Sequence, residues 1–314
     1  MAPSLEAVQL TKRFNSFVAL DHLNLKIEGS KCIGFLGPNG AGKTTTLKMF
    51  TDLIFPTEGE AFVNGISVQG DRKRALSSCG DLIETPEIYP SLSPREALEM
   101  SGALRGLSAA EIRDRTKTVL EEVKMTEWAD QRVGRFSKGM KQRVNIAAAL
   151  LSDPEVVILD EPSTGLDPRG MAEVRSIVRA LKKEDRLIFM SSHILSEVTD
   201  VCDEVALLDR GKLLFYDRLE NVERRLGSGT RTVEVEFAAP LDDAAVGPIA
   251  TLPGVSGCTR LGPNRLQLAV KGGPTEQVQL LESVASRHLG LLSFRESRSA
   301  LEEVYLREIS QGDA

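Results

Sequence analysis

Residues 37 to 44 read Gly37-Pro38-Asn39-Gly40-Ala41-Gly42-Lys43-Thr44, a complete GxxxxGK[ST] phosphate-binding pattern. Glycines let the main chain wrap closely around a phosphate, and a following helix N-terminus adds amide donors and positive potential. In such a loop Lys43 reaches the β- and γ-phosphates, and the Thr44 hydroxyl ligates Mg²⁺. A second cluster closes an apolar run, Val156-Val157-Ile158-Leu159-Asp160-Glu161. A buried strand would hold Asp160 where it serves Mg²⁺, directly or through water, and Glu161 where it polarises an attacking water. An apolar strand ending in acids is commonplace alone; downstream of a phosphate loop it points to phosphoryl transfer.

The elements around these residues must hold them rigidly. Hydrophobic periodicity switches repeatedly between strand-like and helix-like, the pattern of an α/β architecture. Buried strands are expected at Cys32–Leu36, Val156–Leu159 and Leu187–Met190, and a helix at Met171–Leu181. Alternation in Glu6–Leu10 and Leu23–Ile27 suggests antiparallel edge strands. Between Thr85 and Ser152 the pattern turns helical, at Arg95–Leu104, Ala110–Val123 and Lys141–Leu151. Gly227-Ser228-Gly229-Thr230 reads as a short linker. Beyond it, strand patterns at Thr232–Phe237, Gly254–Arg260, Arg265–Val270 and Leu291–Arg295 and a helical stretch at Gln277–Leu289 indicate a small α+β domain.

Composition narrows the function classes. Of 314 residues, 41% are hydrophobic, 27% charged and 5% aromatic, with formal net charge −6. That acidic balance argues against a basic nucleic-acid platform, and no nucleic-acid partner is expected. From Leu226 onward, 8 basic residues stand against 11 acidic ones, so the second domain is no more basic. No run reaches the roughly 18 apolar residues of a membrane span, and Met1–Glu6 lacks the character of a signal peptide. Cys32, Cys79, Cys202 and Cys258 are scattered without metal or redox spacing, which fits a reduced, cytoplasmic setting.

Three further segments carry a family resemblance. Phe136-Ser137-Lys138-Gly139-Met140-Lys141-Gln142-Arg143 resembles the signature of ABC-type ATPases, Ser163-Thr164-Gly165-Leu166-Asp167-Pro168 their D-loop, and Ser191-Ser192-His193 their switch histidine. With the phosphate loop and the acidic strand, five motifs stand in the family's order, covering residues 4 to about 225. The resemblance implies a P-loop NTPase core of the ABC type over 1–226, with an antiparallel β subdomain and a helical subdomain at about 85–152. The small C-terminal α+β domain at 227–314 would be regulatory or a dimerisation element, with an inert stabilising domain as the competing reading. Its end, Ser299–Leu306, resembles the tail appended to many such subunits.

The same resemblance assigns residues to roles. Gly37, Pro38, Asn39, Gly40, Ala41, Gly42, Lys43, Thr44 and Thr45 would hold ATP, with Thr44 and Asp160 on Mg²⁺ and Glu161, His193 and Lys43 in catalysis. Phe14 matches the aromatic that stacks on adenine, with Val18 an apolar neighbour; a core Phe is the competing reading. Ser137 and the Gly139 amide on their own spell a plain helix N-cap; in the family they contact the γ-phosphate held by an opposite subunit, and Asp167 of the D-loop also joins the nucleotide site. One loop and one signature per chain therefore imply a head-to-tail homodimer. Two departures stand out: Lys138 replaces the first signature glycine, and Glu84 occupies the place of a Mg²⁺-contacting glutamine. Glu84 with the Ser-Lys-Gly-Met signature resembles the exporter branch that includes bacitracin- and lantibiotic-resistance transporters.

The expected function is the ATP-hydrolysing subunit of an exporter, peripheral on the inner face of the cell membrane through a separate permease. The alternatives fit less well. Ribosome-acting members generally carry two cassettes in one chain, and the stretch between Lys43 and Asp160 is too short for the coiled coil of DNA-repair members. Asp167–Gly170 meets the loose DxxG pattern of GTPases, but no [NT]KxD guanine-reading motif accompanies it.

Overall fold

The computed structural model describes residues 2–84, 87–182, 185–225 and 230–296, together with Leu301 and Tyr305. The chain divides into two compact units, Met1–Arg218 and Leu219–Ala314. In the first, β1 (Ser4–Phe14), β2 (Phe17–Glu28) and β3 (Lys31–Leu36) lead into the phosphate loop and α1 (Lys43–Phe50). Next come β4 (Glu58–Val63), β5 (Ile66–Ser67), α2 (Arg72–Ala75) and β6 (Cys79–Leu82). Three helices follow without an intervening strand, α3 (Pro94–Leu104), α4 (Ala109–Glu122) and α5 (Lys138–Leu150). The unit ends with β7 (Val156–Leu159), α6 (Pro168–Leu181), β8 (Leu187–Ser192), α7 (Leu195–Val201), β9 (Glu204–Asp209) and β10 (Lys212–Arg218).

Two sheets result. One is antiparallel in its β1–β2, β1–β4 and β4–β5 pairings, in the order β2-β1-β4-β5. β1 is therefore an inner strand, not the edge strand its alternation suggests. A bulge between Ala7 and Leu10, with Gln9 at φ 49°, shifts the phase so that both apolar residues face the core. The other sheet runs β10-β9-β3-β8-β7-β6, parallel from β9 to β6 with β10 antiparallel at its edge. β3, β7, β8 and β9 are buried almost along their whole length, as strands covered on both faces must be, while the edge strand β10 is only partly buried. Leu5, Leu23, Phe35, Leu47, Phe50, Ile158 and Phe189 join both sheets and α1 in one core. Cys32 and Cys202, distant in sequence, meet with sulfurs 3.6 Å apart.

Helix starts follow local chemistry. Ser93 with Glu96 and Ser108 with Glu111 form reciprocal capping boxes at α3 and α4. Ser137 caps α5, which begins three residues ahead of the Lys141 start suggested by apolar spacing. Among the described residues, no helix is long and apolar enough to cross a membrane.

The second unit holds α8 (Leu219–Arg225), β11 (Thr230–Phe237), α9 (Asp243–Ala250), β12 (Val255–Gly262), β13 (Arg265–Lys271), α10 (Pro274–Ala285) and β14 (Leu291–Glu296). Its antiparallel sheet has the order β12-β13-β11-β14, and from β11 onward the elements run β-α-β-β-α-β, the ferredoxin-like arrangement. Val233, Val235 and Phe237 fill one face with Leu266, Leu268, Ile249, Leu280 and Val284. α10 starts at Pro274, ahead of the expected Gln277, because proline suits the first helical position. Gly227–Gly229 and, apart from Leu301 and Tyr305, the tail at 299–306 lie outside the described residues.

Candidate functional site

Parallel pairing carries the ends of β3, β6, β7 and β8 to one edge of the sheet, where such folds bind ligands. The phosphate loop leaves β3 there. Gly42 sits at φ 104°, and a Cβ on it would lie 2.4 Å from the Ala19 carbonyl oxygen, so only glycine fits. No side chain caps α1, which leaves its first-turn amides to the loop's hollow. Lys43 is 5% exposed. Its Nζ donates to the carbonyls of Gly37 at 2.8 Å and Pro38 at 3.1 Å and lies 3.5 Å from Glu161 Oε1.

The acidic pair is braced from two sides. Asp160 Oδ1 accepts from Thr44 Oγ1 at 3.1 Å and from Ser191 Oγ at 2.6 Å. The Ser191 hydroxyl in turn accepts from the Glu161 amide at 2.9 Å. Glu161 has φ 44°, in the left-handed region that non-glycine residues rarely occupy. Its Oε2 accepts from Thr164 Oγ1 at 2.8 Å and meets His193 Nδ1 at 3.0 Å. Burial opposes ionisation of Glu161, but Thr164, His193 and Lys43 together outweigh it and hold the carboxyl below its ordinary range. The carboxylate is thus kept ionised beside a lysine and a histidine and can accept a proton.

A cavity of about 240 Å³ opens over this cluster, lined by Phe14, Phe17, Ala19, Asn39, Gly40, Gly42, Lys43, Thr44, Thr45 and Glu161. Phe14 is 47% exposed, against the core reading, and the Lys12 Nζ lies over its ring, 5.0 Å from the centroid. Val18 is not among the lining residues. Strand alternation turns its neighbours Phe17 and Ala19 to the cavity instead.

The signature segment lies at a second cavity of about 400 Å³, whose lining includes Glu87, Lys138, Lys141, Gln142, Asn145, Thr164 and Leu166. Ser137 accepts from the Met140 amide at 3.2 Å, and Asp167 caps α6 by accepting from the Gly170 amide at 3.0 Å. A Cβ on Gly139 would lie 3.3 Å from the Gly170 Cα, so two glycines let these helix starts approach. The two cavities share no lining residue.

Glu84 is placed differently from its expected Mg²⁺ role. Its carboxylate pairs with Lys48, Oε1 lying 2.5 Å from Nζ. Sequence reasoning also missed three contributors, Ser191, Thr164 and Phe17. Ser191 and Thr164 stand inside motifs already quoted, and a polar residue ending an apolar strand was the available signal. Thr85 and Pro86 lie outside the described residues.

The donors at Thr44 and Asp160 are one hydroxyl and one carboxylate oxygen in mutual contact, hard ligands that suit Mg²⁺. Among the described residues no group of three His, Cys, Asp or Glu could form a closed metal cage. Sparse protein ligation of this kind fits an ion that shares its coordination with phosphates.

Comparison with known proteins agrees with this geometry. The ABC transporter family model matches residues 20–164. The bacitracin transport ATP-binding protein BcrA of Bacillus licheniformis is 40% identical over 226 residues, spanning 72% of this chain and 73% of that protein. The linearmycin resistance ATP-binding protein LnrL of Bacillus subtilis (strain 168) is 29% identical over 304 residues, 96% of this chain and 97% of its own. A solved ATP-binding subunit of an ABC transporter superposes with TM-score 0.63 at 30% identity, over 71% of this chain and 93% of that one. The chain belongs to the ABC transporter family, as one of its ATP-binding, ATP-hydrolysing subunits.

Proposed function

We propose that this subunit powers an exporter, closing head to tail on a second copy of itself around two ATP and driving a separate membrane-spanning permease. The observation that carries the catalytic part is Glu161, whose carboxylate gathers Lys43, Thr164 and His193 at the mouth of the phosphate loop. With the γ-phosphate over the loop, Glu161 takes a proton from water as the water oxygen bonds to phosphorus. The bond from phosphorus to the bridging oxygen breaks, and ADP leaves with that electron pair. Lys43 and the first-turn amides of α1 hold the phosphates, and His193 orients the attacking side through its contact with Glu161. Thr44 and Asp160 would hold Mg²⁺, which when bound neutralises charge growing on the phosphate oxygens.

Sharing of the site is supported by the separation of the two cavities. No residue of 137–139 lines the phosphate-loop cavity of its own chain, so the anion-binding start of α5 is available to a partner's γ-phosphate. On this reading residues 1–226 are the motor and 227–314 an appended domain. Export is supported by the resemblance to BcrA and LnrL, proteins named for bacitracin transport and linearmycin resistance. A permease would seat the subunit on the inner face of the cell membrane. Nucleic acid has no place in this reading, given the net charge of −6.

Glu161→Gln tests the mechanism. Loss of the base should cut ATP hydrolysis about 10²- to 10⁴-fold and accumulate an ATP-bound dimer by analytical ultracentrifugation. A variant that stays monomeric in saturating ATP would overturn the shared site, and co-purification with ribosomes and no membrane chain would overturn export.

A further inference from the structure

The Lys48–Glu84 ion pair has no part in the phosphate loop, yet its position bears on the cation site. Lys48 follows Thr44 by four residues on α1, so the two side chains lie one above the other on the same helix face. Thr44 holds Asp160 at 3.1 Å, and Lys48 holds Glu84 at 2.5 Å. One face of α1 thus carries two acid-holding positions, separated along the axis by four residues, or about 6 Å. The strands behind them are tied together, since the Asp160 amide donates to the Leu82 carbonyl at 2.8 Å. Glu84 follows the end of β6 with φ 58°, a conformation that needs support from its surroundings. Its side chain is 68% exposed and that of Lys48 26%, so the pair is wet and exchangeable.

We propose that Lys48 is a positioning residue that holds the Glu84 carboxylate one helical turn from the Thr44–Asp160 cation site. Glu84 joins that site by exchanging an ammonium for the nucleotide's cation. The carboxylate cannot keep its close contact with Nζ while lying at a cation a turn away, so Lys48 competes with the divalent ion. This rests on the reading that Thr44 and Asp160 hold Mg²⁺ with ATP. The consequence is a higher Mg²⁺ requirement, set by a residue that touches neither nucleotide nor metal.

The experiment uses the full chain with Glu161→Gln, so that hydrolysis does not intervene, and follows binding of a fluorescent ATP analogue as Mg²⁺ is raised. Adding Lys48→Met should lower the Mg²⁺ midpoint by up to about fivefold, the upper end of what an exposed ion pair commands, without changing metal-free affinity. Lys48→Arg should keep the parent midpoint. In a Glu84→Gln background, Lys48→Met should produce no shift. An unchanged midpoint, or the same shift persisting with Glu84→Gln, would overturn the proposal, the second result reducing Lys48 to a through-space charge. A parent protein whose nucleotide binding ignores Mg²⁺ would overturn the cation site itself, and this inference with it.

Discussion

Replacing Ser191 with alanine isolates the joint on which both acidic residues depend. Ser191 is fully buried, donates to Asp160 Oδ1 at 2.6 Å and accepts from the Glu161 amide at 2.9 Å. A hydrogen bond to a charged group contributes about 1.5–3 kcal/mol, and an unpaired buried donor costs about 1–3 kcal/mol. The vacated volume is close to that of one water, which would restore part of the loss. The net destabilisation expected is therefore about 2–4 kcal/mol. For a folding unit of 150–250 residues each kcal/mol moves the midpoint about 2–4 °C, so calorimetry should show a fall of about 4–16 °C. Turnover should fall as well, by about tenfold, because the Glu161 main chain loses its tether. Ser192→Ala is the matched comparison. Ser192 is equally buried in the same strand but bonds Glu197 and Ile194 rather than the acidic pair. It should lose stability and keep kcat within about twofold of the parent. A Ser191→Ala midpoint within about 1 °C of the parent, or equal loss of kcat in both variants, would refute the reasoning.

Phe14→Ala should weaken ATP binding by about 1–3 kcal/mol, the range for loss of one aromatic stacked on a base, with little change in the thermal midpoint because the ring is half exposed. Isothermal titration of Phe14→Ala beside Val18→Ala separates the cavity-lining residue from its neighbour; equal effects would count against the assignment. Thr164→Ala removes a hydrogen bond that favours the Glu161 carboxylate, so the acid limb of the kcat profile should move to higher pH. The sign follows from the depressed native pKa. The ionised base is present above that value and lost as pH falls through it, and its contribution to stability is complete above the ordinary value of about 4.5. An acid limb that moves to lower pH would contradict this.

Much of the site was legible because its chemistry is local. Lys43, Thr44, Asp160 and Glu161 sit beside apolar strands whose burial makes them rigid, and both glycine pattern and strand pattern are visible in a few consecutive residues. What could not be read depends on pairing. β1 looks like an edge strand until β4 pairs with its other side. α9 went unseen because Gly247 and Pro248 interrupt its pattern. The ion pair between Lys48 and Glu84 joins residues 36 positions apart whose facing is set by β6 and α1. Phe17 lines the cavity while Val18, one residue on, does not, since strand alternation turns neighbouring residues to opposite faces.

Lys43 shows why the site must work by exchange. An ammonium that is 5% exposed needs partners, and here they are the Gly37 and Pro38 carbonyls and the Glu161 carboxylate. A phosphate approaching the loop competes with the Glu161 carboxylate for the Nζ hydrogen that the two carbonyls leave over. Glu161 then loses one positive neighbour while Thr164 and His193 remain bonded to its other oxygen. The released oxygen, Oε1, is the one left to accept a proton from water. On the mechanism proposed above, ATP binding and arming of the base would be one rearrangement, with Ser191 holding the main chain of Glu161 in place while its side chain changes partners.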